Sequence, residues 1–415
     1  MKATIPGFVW VILFYGCNNS GSPKEADDSL QYYPSTPAAL NKQEFRQYYR
    51  RLNELFDTTL LHGGFNGGIL IARNGAIIYE KYTGLVDLRK KGPLTENTSL
   101  HIASTTKTFT AIAVLRMIQE SKLTLTDSVN KFFPGFPYPG ITVKMLLNHR
   151  SGLPNYLYFM SKEKWQKLSK ERGSKQYVTN KDVLKFLVDE KPDKSYSVNK
   201  RFNYCNTNYV LLALIVEKIS GKPFPEYMQE KFFQPLQMQH TFVFTLKDTA
   251  TAAPSFTNNG IYWEYDFLDA TYGDKNIYST PRDLLKWDQA LYTEQIINAA
   301  FLDSAFTAYS FEKPGVHNYG LGWRLQLMPN GKKIVYHFGK WHGFNAAFTR
   351  LTDEKATIII LGSRFTRRIY GAAHLCYDIF GDYQQRPTDD DEDSDSISAN
   401  KKPTTSPERV TKVKR

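Results

Sequence analysis

Cysteine is scarce in this chain: 415 residues contain three, Cys17, Cys205 and Cys376. That excludes a disulfide-stapled scaffold, and none of the three stands at metal-ligand spacing from another. A long apolar run is missing too. The stretch from Ile5 to Tyr15 is shorter than the roughly 18 to 20 residues that cross a bilayer comfortably. Clustered charge of one sign is absent from the body of the chain. The net charge is +12, yet the 53 Lys and Arg are interspersed with 41 Asp and Glu. A nucleic-acid partner, which calls for a basic stripe, is therefore not expected. No internal repeat is visible. What the chain has is bulk: 41% hydrophobic and 14% aromatic residues, enough for a large core built as one domain or two intertwined subdomains.

Lys2, the apolar run and Gly16-Cys17 have the order of an export signal. A small residue before Cys17 resembles a bacterial lipoprotein processing site, although Phe14 stands where that pattern usually has Leu. Residues 1–17 are read as a lipoprotein-type signal segment with Cys17 as the lipidated residue. Residues 18–40, rich in Ser, Pro and Asn, are read as a linker. The expected location is the bacterial cell envelope, with the protein lipid-anchored in the periplasm or on the outer membrane. Each buried acyl methylene would add about 0.8 kcal/mol to that membrane partnership. Cys205 and Cys376 are expected to be separate, buried thiols.

The folded body is expected over residues 41–383. Phe45, Tyr48, Tyr49, Leu52, Leu55 and Phe56 recur at three- and four-residue intervals and predict an amphipathic helix. Gly68 to Arg73 and Ala76 to Tyr82 are β-rich runs joined by Asn74-Gly75, a pair suited to a tight hairpin turn. Lys333 to Phe338, Asn345 to Leu351 and Thr357 to Leu361 read as three further strands, followed by a helix over about 370–380. Between about 122 and 287 the sequence is rich in helix and loop signals. The expected fold class is α+β: an antiparallel sheet assembled from both chain ends, flanked by helices, with a mostly helical insert and a cleft between the two. Residues 384–415, with an acidic run from Asp389 to Asp395 and a basic end, form a tail with too few apolar residues for a core.

Three short motifs suggest chemistry. The pattern Ser-x-x-Lys occurs several times, but only Ser104/Lys107 leads into a strongly apolar helix, Phe109 to Ile118. One helical turn places the Lys107 amine beside the Ser104 hydroxyl, with backbone N–H groups nearby for an oxyanion. The bland reading is an N-cap serine and a solvated lysine. Tyr204-Cys205-Asn206 is the single Tyr-x-Asn of the chain and precedes another apolar helix. His337-Phe338-Gly339 ends a strand, and alternation puts His337 and Gly339 on one face, where Gly339 would let a substrate approach the backbone.

In this order, from about Phe65 to Leu361, the motifs resemble those of the serine β-lactamase-related family. That family contains class C β-lactamases, penicillin-binding D-Ala-D-Ala carboxypeptidases, D-aminopeptidases and esterases. Leu146 to Pro154, Tyr278 to Leu284 and Tyr319 to Trp323 resemble further family segments. The resemblance implies a β-lactamase/transpeptidase-like fold and a serine hydrolase that forms an acyl-enzyme on peptide, amide or ester substrates. Ser104 would attack, Lys107 and Tyr204 would handle protons, and Asn206, His337, Gly339 and Lys340 would bind substrate, the last through its backbone N–H. No cofactor or metal is implied. A D,D-carboxypeptidase or β-lactamase is the nearest rival, and a catalytically silent binding protein with the same fold is the rival of another class.

One departure stands out. Where β-lactamases carry Lys-Thr-Gly, this chain has His337-Phe338-Gly339, losing a cation and a hydroxyl that can hold a substrate carboxylate. Lys340 falls on the opposite strand face. The expectation from sequence is weak β-lactam turnover and a preference for substrates without that carboxylate.

Overall fold

A computed structural model describes residues 40–90, 92–171 and 177–383. The signal segment, Cys17, nearly all of the linker and the tail lie outside the described residues. Along the chain, β1 (Gly67–Arg73) and β2 (Ala76–Thr83) form the expected hairpin, turning at Asn74 and Gly75 with φ of 51° and 75°. Short strands follow: β3 (Leu100–His101), β4 (Phe242–Val243), β5 (Ser255–Phe256), β6 (Tyr262–Trp263) and β7 (Ile277–Ser279). The last five are β8 (His317–Tyr319), β9 (Arg324–Leu327), β10 (Lys333–Trp341), β11 (Phe344–Leu351) and β12 (Ala356–Gly362).

The main sheet has seven antiparallel strands in the order β2-β1-β12-β11-β10-β9-β8. It joins the two ends of the chain directly, with Gly67 opposite Gly362 and Arg73 opposite Ala356. Side chains alternate between two cores. Ile69, Ile71, Ile358 and Ile360 point into one, shared with Phe45, Leu52 and Phe56 of the helix Lys42–Thr59 and with Tyr377 of the helix Arg368–Phe380. Leu70, Ala72, Ile359 and Leu361 point into the other, shared with the helices Thr106–Gln119 and Asn206–Ser220. Because both faces are covered, the central strands read as continuous apolar runs.

Two corrections to the sequence reading concern boundaries. The glycine-broken stretch around Gly320 and Gly322 hides β8 and β9, which extend the sheet beyond β10. The helix Pro281–Ala290 packs on β1 and β12. It fixes itself there through Asp288, whose carboxylate accepts from Arg350 Nε at 2.5 Å and Thr357 Oγ1 at 2.7 Å, so this helix packs with the sheet although the sequence reading ran the insert to about 287. Cys205 and Cys376 are both buried and unpaired, as expected.

Candidate active site

The site grows from one short, strained turn. Residues Ala103–Thr105 form a single 3-10 turn leading into the helix Thr106–Gln119. Ala103 takes φ +49°, a left-handed conformation costly for a residue with a Cβ. Its N–H donates to His101 Nδ1 at 2.9 Å, and His101 Nε2 lies 2.9 Å from Asn276 Oδ1. Burial pulls the His101 pKa down to about 3, so the ring is neutral with its proton on Nε2.

Strand β10 clamps this turn from the side. β9 pairs with β10 only over Lys333–Tyr336, so the edge beyond Tyr336 is left to the turn. Thr105 Oγ1 donates to the His337 carbonyl at 3.1 Å. A Cβ on Gly339 would stand 2.3 Å from the Ile102 carbonyl oxygen and 2.9 Å from the Ser104 nitrogen. The glycine is therefore required by the turn that carries Ser104, and the space expected for substrate at its α-carbon is filled by protein.

Ser104 reaches a cleft of about 280 Å³ whose lining also includes Tyr204, Asn206, Gly339 and Lys340. Lys107 lies behind it, with no exposed surface. Its amine is 3.1 Å from Ser104 Oγ and donates to the Asp274 carbonyl at 2.7 Å. The Tyr204 ring centroid is 4.9 Å from that nitrogen. Burial pulls the Lys107 pKa down to about 7, helped by the cations Lys275 and Arg324 and opposed by Asp274. Asn206 begins the helix Asn206–Ser220, and its amide has no hydrogen-bond partner among the described residues.

His337 is the exception among the sequence-derived residues. Its ring is fully buried and does not line the cleft. Nδ1 lies 2.7 Å from the Phe338 carbonyl, which fixes the proton there, and Nε2 accepts from the Tyr319 hydroxyl at 3.2 Å. Burial, with Arg324 and Lys107 adding to it, pushes its pKa well below that of an ordinary histidine. Tyr156 is buried on Asp274, and Leu157, Trp263 and Trp341 supply the apolar wall.

Two residues escaped the sequence reading. Arg324 lines the cleft from β9, with its guanidinium carbon 5.3 Å from the Tyr204 ring centroid. His149, inside the family-like stretch Leu146 to Pro154, holds the Tyr204 turn. Its carbonyl accepts from Asn203 N at 2.9 Å, and its Nδ1 accepts from Cys205 N at 3.1 Å and lies 3.2 Å from Asn208 Nδ2. The ring centroids of His149 and Tyr204 are 4.4 Å apart. The φ of +57° at His149 and its neighbourhood to Gly152 were not legible from residue type.

Among the described residues, Asp266, Asp269 and His342 at the cleft rim form a group that could hold a metal ion. The Asp269 carboxylate already accepts from Trp341 Nε1 at 2.6 Å and from the Asp266 N–H at 2.5 Å, and pairs with His342 at 3.0 Å. The group is better described as a closed hydrogen-bonded cluster.

A serine hydroxyl in contact with a buried amine, at the edge of an antiparallel sheet covered by helices, defines the fold class of serine acyl-transfer enzymes. The Beta-lactamase family model matches residues 45–373, and the chain belongs to that family of serine hydrolases, which act through an acyl-enzyme. It is 31% identical over 363 residues to penicillin-binding protein 4* of Bacillus subtilis, covering 82% of this chain and 78% of that protein. In fold it is similar to a penicillin-binding protein from Bacillus halodurans, with a TM-score of 0.68 and 22% identity over 79% of this chain and 99% of that one. It is also similar to the D-amino acid amidase of Ochrobactrum anthropi, with a TM-score of 0.63 and 22% identity over 79% and 96% of the two chains.

Proposed function

We propose that Ser104 is the acylated nucleophile of a hydrolase acting on peptide, amide or ester substrates, and that Lys107 takes its proton. The observation that carries this reading is the 3.1 Å contact between Ser104 Oγ and an amine whose pKa lies at about 7. A lysine in water is charged at neutral pH and has no lone pair to offer, whereas this one is unprotonated in a large share of molecules. The proton of Ser104 passes to Lys107 as the oxygen attacks the acyl carbon. Tyr204, whose ring centroid lies 4.9 Å from the amine, would relay it to the leaving group. The backbone N–H groups of Ser104 and Lys340 would receive the oxyanion, and the Asn206 amide would orient the substrate. Amide and peptide substrates suit this reading, since similar proteins include penicillin-binding proteins and an amidase. We place the protein in the cell envelope, tethered through Cys17, on the strength of the N-terminal sequence pattern.

Labelling of wild type and Ser104→Ala with a fluorophosphonate and with fluorescent penicillin tests this reading. Ser104-dependent labelling by the fluorophosphonate is expected. Labelling by penicillin alone points to the D,D-peptidase or β-lactamase reading, and absence of both labels on wild type refutes the nucleophile.

A further inference from the structure

A second polar cluster lies behind the nucleophile. The irregular stretch 268–276, between β6 and β7, passes along the helix that carries Lys107. Its Asp274 carbonyl accepts from the Lys107 amine at 2.7 Å, and its Gly273 carbonyl accepts from Thr110 Oγ1 at 2.7 Å. Gly273 takes φ +92°, and a Cβ there would stand 2.6 Å from the Tyr209 carbonyl oxygen. The stretch is thus held between the helices Thr106–Gln119 and Asn206–Ser220.

Asp274 and Lys275 follow each other in this stretch, 1% and 2% exposed, and both belong to the cleft lining. The Tyr156 hydroxyl joins their side chains: it donates to Asp274 Oδ2 at 2.8 Å and accepts from Lys275 Nζ at 2.9 Å. The Lys275 ammonium also donates to the Leu268 carbonyl at 3.0 Å and to Thr271 Oγ1. Asp274 Oδ1 is buried and accepts nothing among the described residues. The carboxylate is therefore anchored through Tyr156, on the very residue whose carbonyl holds Lys107. An ammonium at Lys107 would be drawn to such an oxygen, yet the observed contact is to the carbonyl. Two buried charges cost desolvation that apolar side chains of the same size would avoid, so a loop staple alone does not account for them.

The charges facing the Lys107 amine are Asp274, which favours its protonated form, and Lys275 and Arg324, which oppose it. Burial keeps the His149 and His337 rings uncharged and raises the Cys205 thiol to about 11. The Tyr204 and Tyr209 ring centroids, 4.9 and 5.7 Å from the nitrogen, complete its surroundings. On its other side Lys275 faces the Trp341 ring at 4.7 Å and the carboxylates of Asp269 and Asp266.

We propose that Lys275 and Tyr156 are positioning residues for the reaction at Ser104. The Lys275 ammonium, acting through the Tyr156 hydroxyl, holds and balances the Asp274 carboxylate, so that Lys107 meets the Asp274 carbonyl as an amine and is not captured as an ion pair. The inference rests on Ser104 as nucleophile and Lys107 as its base, and adds the residues that keep that base uncharged.

The test follows the labelling of Ser104 by an uncharged fluorophosphonate from pH 5 to 10 and reads the midpoint of the acid limb. Lys275→Met removes a cation and releases the carboxylate, and both changes favour the protonated amine. The midpoint should rise by about one pH unit, the scale of one nearby buried charge. Adding Asp274→Asn to that variant should bring the midpoint back toward the wild-type value. Tyr156→Phe leaves every charge in place and removes the bridge alone, so it should raise the midpoint by about half a unit, and by nothing in an Asp274→Asn background. Loss of stability alone would leave all these midpoints where they are. An unmoved midpoint in folded Lys275→Met, or a Tyr156→Phe shift that persists without the Asp274 carboxylate, overturns the proposal. If Lys275→Met does not fold, the Tyr156→Phe pair decides. Wild type that takes no label, or takes it at a rate independent of pH, counts against Ser104 or Lys107 instead, so the two readings fail separately.

Discussion

The Lys107 amine lies 3.1 Å from the Ser104 hydroxyl and is sealed from solvent on every side. Sealing sets its chemistry, because removing the ammonium from water favours the neutral amine that can accept a proton.

The first prediction is the pH dependence of Ser104 acylation. The rate of fluorophosphonate labelling should rise with pH through a midpoint near 7, the pKa given to Lys107 by burial. Lys107→Arg, whose guanidinium stays charged, should lose most of the labelling at all accessible pH values. A rate that is flat from pH 5 to 9 would count against Lys107 as the base.

Asp274 opposes the depression of the Lys107 pKa. Its carboxylate also accepts from the Tyr156 hydroxyl at 2.8 Å, a contact that an amide oxygen can keep. Asp274→Asn should therefore move the acid limb of the labelling profile to lower pH while preserving the fold. Movement to higher pH would show that another group controls the limb.

Folding stability should carry the same signature. Lys107 holds its proton to about 7 when folded and to 10.5 when unfolded, so between these values the unfolded chain binds more protons. Stability should climb as pH rises through that window, and the full cost of the buried charge is present below it. Lys107→Met should melt higher than wild type at pH 7 and show a shallower rise from pH 7 to 10. Thermal melts across that range decide the point.

His149 should act on Tyr204 by position. His149→Ala leaves the buried Cys205 N–H without its acceptor, a loss of about 1–3 kcal/mol in stability, and should slow labelling. His149→Asn offers a side-chain oxygen near the place of Nδ1 and should recover part of both. Denaturant unfolding and labelling rates, read together, separate this from a general loss of folding.

Gly339→Ala should be damaging in a different way. The added carbon meets the Ile102 carbonyl and the Ser104 nitrogen, so the turn must shift, at a cost of about 1–3 kcal/mol typical of overpacking. Labelling should fall further than stability. Wild-type labelling in a stable Gly339→Ala protein would show that the clamp on Ser104 is dispensable.

Much of the fold was legible because its elements carry local signals. Asn74-Gly75 announces the hairpin, and the apolar runs of β10, β11 and β12 fall within a few residues of their expected limits. β8 and β9 were missed since Gly320 and Gly322 interrupt short segments whose pairing is decided by β10. The motif residues came together because each sits at a helix start or a strand end. The exposure of His337 was misjudged because alternation assigns a face but not what covers it, and Tyr319 covers that face. Lys340 was misjudged in the opposite sense, since strand parity is silent on where the neighbouring strand stops.

The pairing of β1 with β12 sets a condition on biogenesis. Residues separated by nearly three hundred positions must meet before the central sheet can close, and loop closure of that length is paid before its contacts form. The turn bearing Ser104 leans on β10, which in turn is held between late-synthesised neighbours. A ribosome-bound or truncated chain ending before residue 362 would therefore carry the nucleophile's sequence without its geometry, and reactivity should switch on only once β12 has been made and paired with β1.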